Sequence, residues 1–352
     1  MSQLHELLTT ALDCEASDVH IMVGSPPILR IHTVLQETDY PVVTPDGAEA
    51  MVREMLPEHR FKEFLSKRDV DFSTEVSGRG RFRVNAHYQR GSIAIAFRAI
   101  PDHVMALEKL NLPLTISRLT ELTRGLVLVT GDTGSGKSTT LASMVDMMNG
   151  RYRKHIITLE DPVEYMLTNN KCAIEQREIG DDCPSFASGL KHALRQDPDV
   201  IMVGEMRDLE TTSAAITAAE TGHLVLSTLH TINAAQTIER IIDIYPTGQQ
   251  NQIRSMLSNT LQAVISQTLL KRTDVPGMIP AVEMMLCTPA VRNCIRENRI
   301  FEIPNVIETS RGLGMQTRDT SISQLYLNGQ ISREDALSYA THPEKLDRAL
   351  CA

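Results

Sequence analysis

Tryptophan is absent from the 352 residues, and seven phenylalanines with seven tyrosines bring the aromatics to only 4%. No Lys/Arg-rich block or stacking ladder stands out, and the formal net charge is −9 with a pI near 5.7. Polynucleotide binding normally requires a concentrated basic surface, so this composition argues against a nucleic-acid partner. Long apolar runs are missing as well. None approaches the roughly 20 residues of a membrane-spanning helix, and the opening Met1-Ser2-Gln3-Leu4-His5-Glu6 lacks the charged-then-apolar pattern of a signal peptide. The expectation is a cytoplasmic protein. The six cysteines, Cys14, Cys172, Cys183, Cys287, Cys294 and Cys351, are scattered without a C-x-x-C pair. That favours reduced thiols and argues against a zinc site or a disulfide framework. Cys287 and Cys294, seven apart, are expected to share one helix face in a core.

What is present is concentrated in Gly131-Asp132-Thr133-Gly134-Ser135-Gly136-Lys137-Ser138, a full match to the phosphate-loop pattern G-x-x-x-x-G-K-[ST]. The context fits. Residues 125–130 form a short apolar run entered through glycine, which reads as a buried strand, and residues 139–148 read as a helix. Glycines allow successive backbone N–H groups to turn inward around a phosphate, and the helix adds its positive end. Residues 131–139, Thr139 included, are the candidate nucleotide contacts. Lys137 is placed to reach the β- and γ-phosphates and Ser138 to ligate Mg²⁺. The pattern implies ATP and Mg²⁺ as cofactors.

The chain is long enough for two domains. Leu4, Leu7, Leu8, Ala11 and Leu12 form the stripe of an amphipathic helix. Short alternating strands follow at residues 17–21 and 28–32, then a helical stretch over 45–65. Residues 79–100 alternate as a hairpin turning near Gln89-Arg90-Gly91. This predicts a small α+β domain over residues 1–100 and a linker over 101–115. From residue 116 to 352 the pattern becomes strand, loop and helix in repetition, with strands at 155–159, 199–203 and 223–228. Near-continuous apolar strands separated by helices indicate a parallel sheet covered on both faces. Residues 249–271 and 288–297 read as helices, and Ser332-Arg333-Glu334-Asp335 as the capping box of another.

Ligands of parallel α/β sheets sit beyond the carboxyl ends of the strands. The polar residues there include Glu160, Asp161 and Glu164, then Glu205, then His230. Phosphoryl transfer to water needs a carboxylate on the Mg²⁺ shell, another on the attacking water, and a donor to the γ-phosphate. Glu205 suits the first task, Glu164 the second with Glu160 and Asp161 as supports, and His230 the third. His223, at the start of a strand, is equally well explained as a structural residue.

The phosphate loop, residues 158–165, residues 195–208 and residues 221–230 together resemble the Walker A, Asp box, Walker B and His box of the secretion ATPases. Within that superfamily the chain is most similar to the type IV pilus retraction ATPases of twitching motility. Ala16-Ser17-Asp18-Val19-His20, Arg81-Phe82-Arg83-Val84-Asn85-Ala86 and Thr288-Pro289-Ala290-Val291-Arg292-Asn293-Cys294-Ile295-Arg296-Glu297 carry that likeness, as does Gly314-Met315-Gln316-Thr317. The resemblance implies a PAS-like N-terminal domain, a RecA-like P-loop ATPase domain with a helical C-terminal portion, and a homo-hexameric ring. It further implies ATP held between the two domains, with Arg83 and Arg98 as charge-stabilising fingers and Arg81 as a weaker candidate. The implied partner is an inner-membrane pilus platform protein, so that membrane association is peripheral.

An accessory retraction ATPase and a pilus assembly or secretion ATPase are the neighbouring readings. The short N-terminal domain and the lack of a tetracysteine zinc element speak against the assembly branch. A nucleotide-dependent scaffold would be expected to have lost Lys137 or the carboxylates, and all are present. Three stretches depart from the family pattern: Asp132 where proline is common, residues 31–35 in place of a turn with Asp-Gly, and Met278-Ile279-Pro280. Asp132 brings a negative charge toward the triphosphate and is expected to weaken binding or slow turnover.

Overall fold

The computed structural model describes residues 2–31, 34–76, 78–100 and 104–350. Cys351, the His32-Thr33 part of the remodelled turn and residues 101–103 of the expected linker lie outside them. The chain divides into two compact units, one comprising Met1–His103 and Pro162–Met166, the other Val104–Asp161 and Leu167–Ala352.

The first unit runs α1 (Gln3–Asp13), β1 (Asp18–Met22), β2 (Ile28–Ile31), β3 (Val34–Glu37), α2 (Pro45–Met55), α3 (Glu58–Lys67), β4 (Asp69–Val76), β5 (Gly80–Gln89) and β6 (Ser92–Ile100). Its strands form an antiparallel sheet in the order β3-β2-β1-β6-β5-β4. Leu4, Leu7, Leu8 and Ala11 of the α1 stripe are buried, and Ser2 caps the helix by accepting from the His5 amide at 3.2 Å. The helix expected over 45–65 is two helices. Leu56 precedes Pro57, and the proline ring disfavours helical geometry at the residue before it, so Leu56 is extended (φ −102°, ψ 137°). Phe82 and Phe97, diagonal neighbours on β5 and β6, meet edge to face in the core at 6.1 Å.

The second unit contains α4 (Thr115–Leu119), β7 (Gly125–Thr130), α5 (Lys137–Arg151), β8 (His155–Glu160), β9 (Ala173–Glu178), α6 (Phe186–Ala193), β10 (Val200–Val203), α7 (Leu209–Glu220), β11 (Leu224–Leu229), α8 (Ala234–Asp243), α9 (Gln250–Thr260), β12 (Leu261–Lys271) and β13 (Met278–Leu286). It closes with α10 (Pro289–Arg296), α11 (Ile303–Thr309), α12 (Arg318–Leu327), α13 (Arg333–Tyr339) and α14 (Pro343–Leu350). The sheet order is β13-β12-β7-β11-β10-β8-β9, parallel except for β13. Leu126 and Leu128 of β7 enter the apolar core on one face, and Val127 and Val129 the core on the other. A strand buried on both faces therefore reads as one continuous apolar run.

Two expectations fail here. Residues 249–271 are a helix only to Thr260, and the remainder is β12, inserted beside β7. An apolar run such as Leu261-Gln262-Ala263-Val264-Ile265 fits either period, and pairing with β7 and β13 selects the strand. Cys287 and Cys294 share a core but no helix face, since Cys287 precedes α10. The five described cysteines are all free. Ser332 does cap α13, accepting from the Asp335 amide at 3.0 Å. Among the described residues no helix is long and apolar enough to cross a membrane.

Candidate active site

The phosphate loop leaves β7 at Thr130 and enters α5 at Lys137. Gly131 has φ +140°, and a Cβ there would stand 2.2 Å from the Gln267 carbonyl oxygen, so only glycine fits. Gly134 and Gly136 also have positive φ, and α5 starts without a side-chain cap, presenting its positive end to the loop. Lys137 is buried, its ammonium donating to the carbonyls of Gly131 (2.9 Å) and Asp132 (2.8 Å). The Ser135 hydroxyl is buried without a hydrogen-bond partner, which suits a loop built to close around phosphate oxygens. Asp132 points its exposed side chain outward, while its carbonyl also accepts from the Ser135 amide at 3.2 Å.

At the same carboxyl edge, β11 lies next to β7 and β10 next to β11. Cross-links between their ends lock the following residues in place. The Thr228 hydroxyl donates to the Gly204 carbonyl at 2.6 Å, and the Met206 amide to the Thr228 carbonyl at 3.1 Å. These bonds set Glu205 beside His230, with Glu205 Oε2 3.4 Å from His230 Nε2 and 2.5 Å from Arg207 Nε. The Glu205 side chain is 14% exposed against 44% for His230. The carboxylate is thus held by a cation and an imidazole in partly desolvated surroundings, while the ring remains open to a ligand. Glu160, at the end of β8, is buried and accepts from the Thr158 hydroxyl (2.6 Å) and the Gln176 amide (3.1 Å). His223 sits before β11, at the opposite edge, with Nδ1 3.1 Å from the Ala218 carbonyl. That is a structural position.

Arg83, Arg98 and Glu164 belong to the other unit. Arg30 on β2, Asp18 on β1, Arg98 on β6, Arg83 on β5 and Ser73 on β4 are successive partners in one row across the sheet. Arg98 Nε donates to Asp18 Oδ1 at 3.0 Å, and Arg30 lies 3.6 Å from Oδ2. Arg83 is exposed, and among the described residues its side chain makes no ion pair or hydrogen bond. Arg81 is half-buried and donates to Ser73 and, at 3.1 Å, to Met166 Sδ. That contact ties down the segment in which Glu164 is half-exposed.

Sequence reasoning missed Gln267, buried beneath the loop, because its strand reads as a helix. It also missed Thr158 and Gln176 as supports of Glu160. The i, i+2 spacing of Thr158 and Glu160 on one strand was the available signal for the first of these.

Residues 1–330 match the family described as type II/IV secretion system protein. The chain is 45% identical over 339 residues to the type IV pilus retraction ATPase PilT of Pseudomonas aeruginosa, an alignment covering 96% of this chain and 98% of that one. It is 46% identical over 320 residues to a twitching motility protein of Neisseria gonorrhoeae, covering 91% and 86%. The crystal structure of the pilus retraction motor PilT with bound ADP matches with a TM-score of 0.92 at 43% identity, over 99% of this chain and all of that one. The chain belongs to the type II/IV secretion system protein family, among its pilus retraction ATPases.

Proposed function

We propose that the protein hydrolyses ATP to power withdrawal of a type IV pilus. The observation that carries the chemistry is the Glu205–His230 pair, cross-linked at the strand edge that also ends in the phosphate loop. In this reading the loop amides and Lys137 hold the phosphates, and His230 donates to the γ-phosphate. Among the described residues no cluster of three or more His, Cys, Asp or Glu could hold a metal. That fits Mg²⁺ carried mainly by phosphate and water, with Ser138 and Glu205 as the protein's share. Glu164 polarises the attacking water, and Arg83 and Arg98 offset charge on the transferring phosphoryl group. The ring is a homo-hexamer working in the cytoplasm on an inner-membrane platform protein, without nucleic acid.

The test combines steady-state Mg-ATPase assays of wild type, Glu205→Ala and Glu164→Ala with light scattering and complementation of a retraction-deficient strain. Turnover in a hexamer, lost in both variants, together with restored twitching supports the reading. Nucleotide binding without turnover, in the presence of the pilus platform, sinks it in favour of a scaffold.

A further inference from the structure

The carboxyl half of β12 directs its polar groups at the phosphate loop, one residue after another. The Ser266 hydroxyl lies 2.8 Å from that of Thr130, the last residue before the loop. The Gln267 carbonyl packs against Gly131 so closely that no Cβ is tolerated. The Gln267 side chain crosses to the first turn of α5, where Nε2 donates to Thr140 Oγ1 at 3.0 Å and Thr140 Oγ1 donates to Oε1 at 3.1 Å. Gln267 is 3% exposed and Thr140 1%. Such a pair is a poor way to gain stability, because two apolar groups of the same shape are nearly neutral or better, whereas losing one partner strands the other. What hydrogen bonds add is direction. Here they tie Thr130, at the entrance to the loop, and Thr140, in the first turn of α5, to one strand.

We propose that Gln267 is a positioning residue for nucleotide binding: anchored on β12, it sets the register between the phosphate loop and α5 and so aims the groups that grip the phosphates. The inference rests on the ATPase reading above.

The experiment uses the full chain with Gln267→Leu, Thr140→Val, the double variant and Thr140→Ser. Affinity for a fluorescent ADP, kcat and KM for Mg-ATP, and thermal stability are measured for each. Contacting residues in one hydrogen-bonded pair are coupled, so each apolar single variant should weaken ADP binding by about tenfold and the double by no more than either. The double variant, with no stranded polar group, should regain thermal stability without regaining affinity, and Thr140→Ser should bind as wild type. Affinity within twofold of wild type in both single variants overturns the proposal. So does a double variant that recovers affinity together with stability, since the pair then only fills space. Wild type that binds no ADP overturns the ATPase reading itself, and the inference with it.

Discussion

The two sheets of this protein expose their polar side chains in different ways. In the parallel sheet, β7 and β11 are buried at every position. In these two central strands no side chain reaches solvent, and polar groups can be presented only where the strands end. The candidate residues Lys137, Glu205 and His230 all lie beyond a strand's end. In the antiparallel sheet, β4 and β5 alternate between buried and open positions, so one face carries helices and core while the other displays polar groups along its whole length. Arg83 and Arg98 therefore sit mid-strand, directly opposite one another. A doubly covered sheet concentrates chemistry at an edge, and a singly covered sheet spreads it over a surface.

The largest expected effect breaks the edge. Lys137→Ala removes the only cation inside the loop motif, and Gly131→Ala forces a Cβ onto the Gln267 carbonyl. Removing a preorganised charge partner costs about 10²–10³-fold in kcat, and Gly131→Ala should in addition abolish fluorescent-ADP binding. Retention of more than a tenth of wild-type turnover by Lys137→Ala would remove the loop from the chemistry.

A second effect separates the two surface arginines. Finger-type arginines carry about 10³–10⁵-fold in kcat, and both Arg83→Ala and Arg98→Ala should slow turnover toward the lower end of that range. Their stabilities should diverge. Like charges directly opposed across strands are destabilising, so Arg83→Ala should leave the melting temperature unchanged or slightly raised. Arg98→Ala takes the 3.0 Å partner from buried Asp18 and should lower it. Equal melting temperatures would show that the row carries no such asymmetry.

The same contrast decides what could be read from the chain. The parallel strands are legible as unbroken apolar runs, and Glu205 and His230 lie beyond the carboxyl ends of two of them, next to each other. Alternation reads residues 79–100 as a hairpin carrying Arg83 and Arg98, but it does not pair Arg98 with Asp18, which lies 80 residues away in the chain. Two places resisted for physical reasons. An apolar run has no period of its own, so β12 looked helical and Gln267 stayed hidden. Glu164 comes shortly after the end of β8, yet Pro162–Met166 packs with the first unit, a tertiary choice that local spacing does not encode.

The smallest effect sharpens the contrast through pH, because each sheet holds one carboxyl group perturbed in the opposite sense. Burial pushes Asp18 upward, but hydrogen bonds from Ser17 and Arg98 and the charges of Arg98 and His20 outweigh it and hold the group below its ordinary 3.8. A depressed carboxyl contributes stability that is present above the unfolded value and lost as pH falls through the folded one. The Asp18 contribution should therefore vanish only below about pH 4. Glu283 on β13 is the reverse. Burial raises it above 4.5, with Asp319 adding to the rise, while the Ala234 amide, donating at 2.8 Å, and Arg318 oppose it. Its contribution is complete below 4.5 and is lost as pH climbs through the raised value. Acidifying from neutrality should first stabilise the parallel sheet and only later weaken the antiparallel one. Urea midpoints across pH 3–7 check this. Glu283→Gln should flatten the upper limb, since the amide oxygen can still accept from Ala234, and Asp18→Asn the lower limb. Identical pH profiles for both variants would mean that neither carboxyl governs its own sheet.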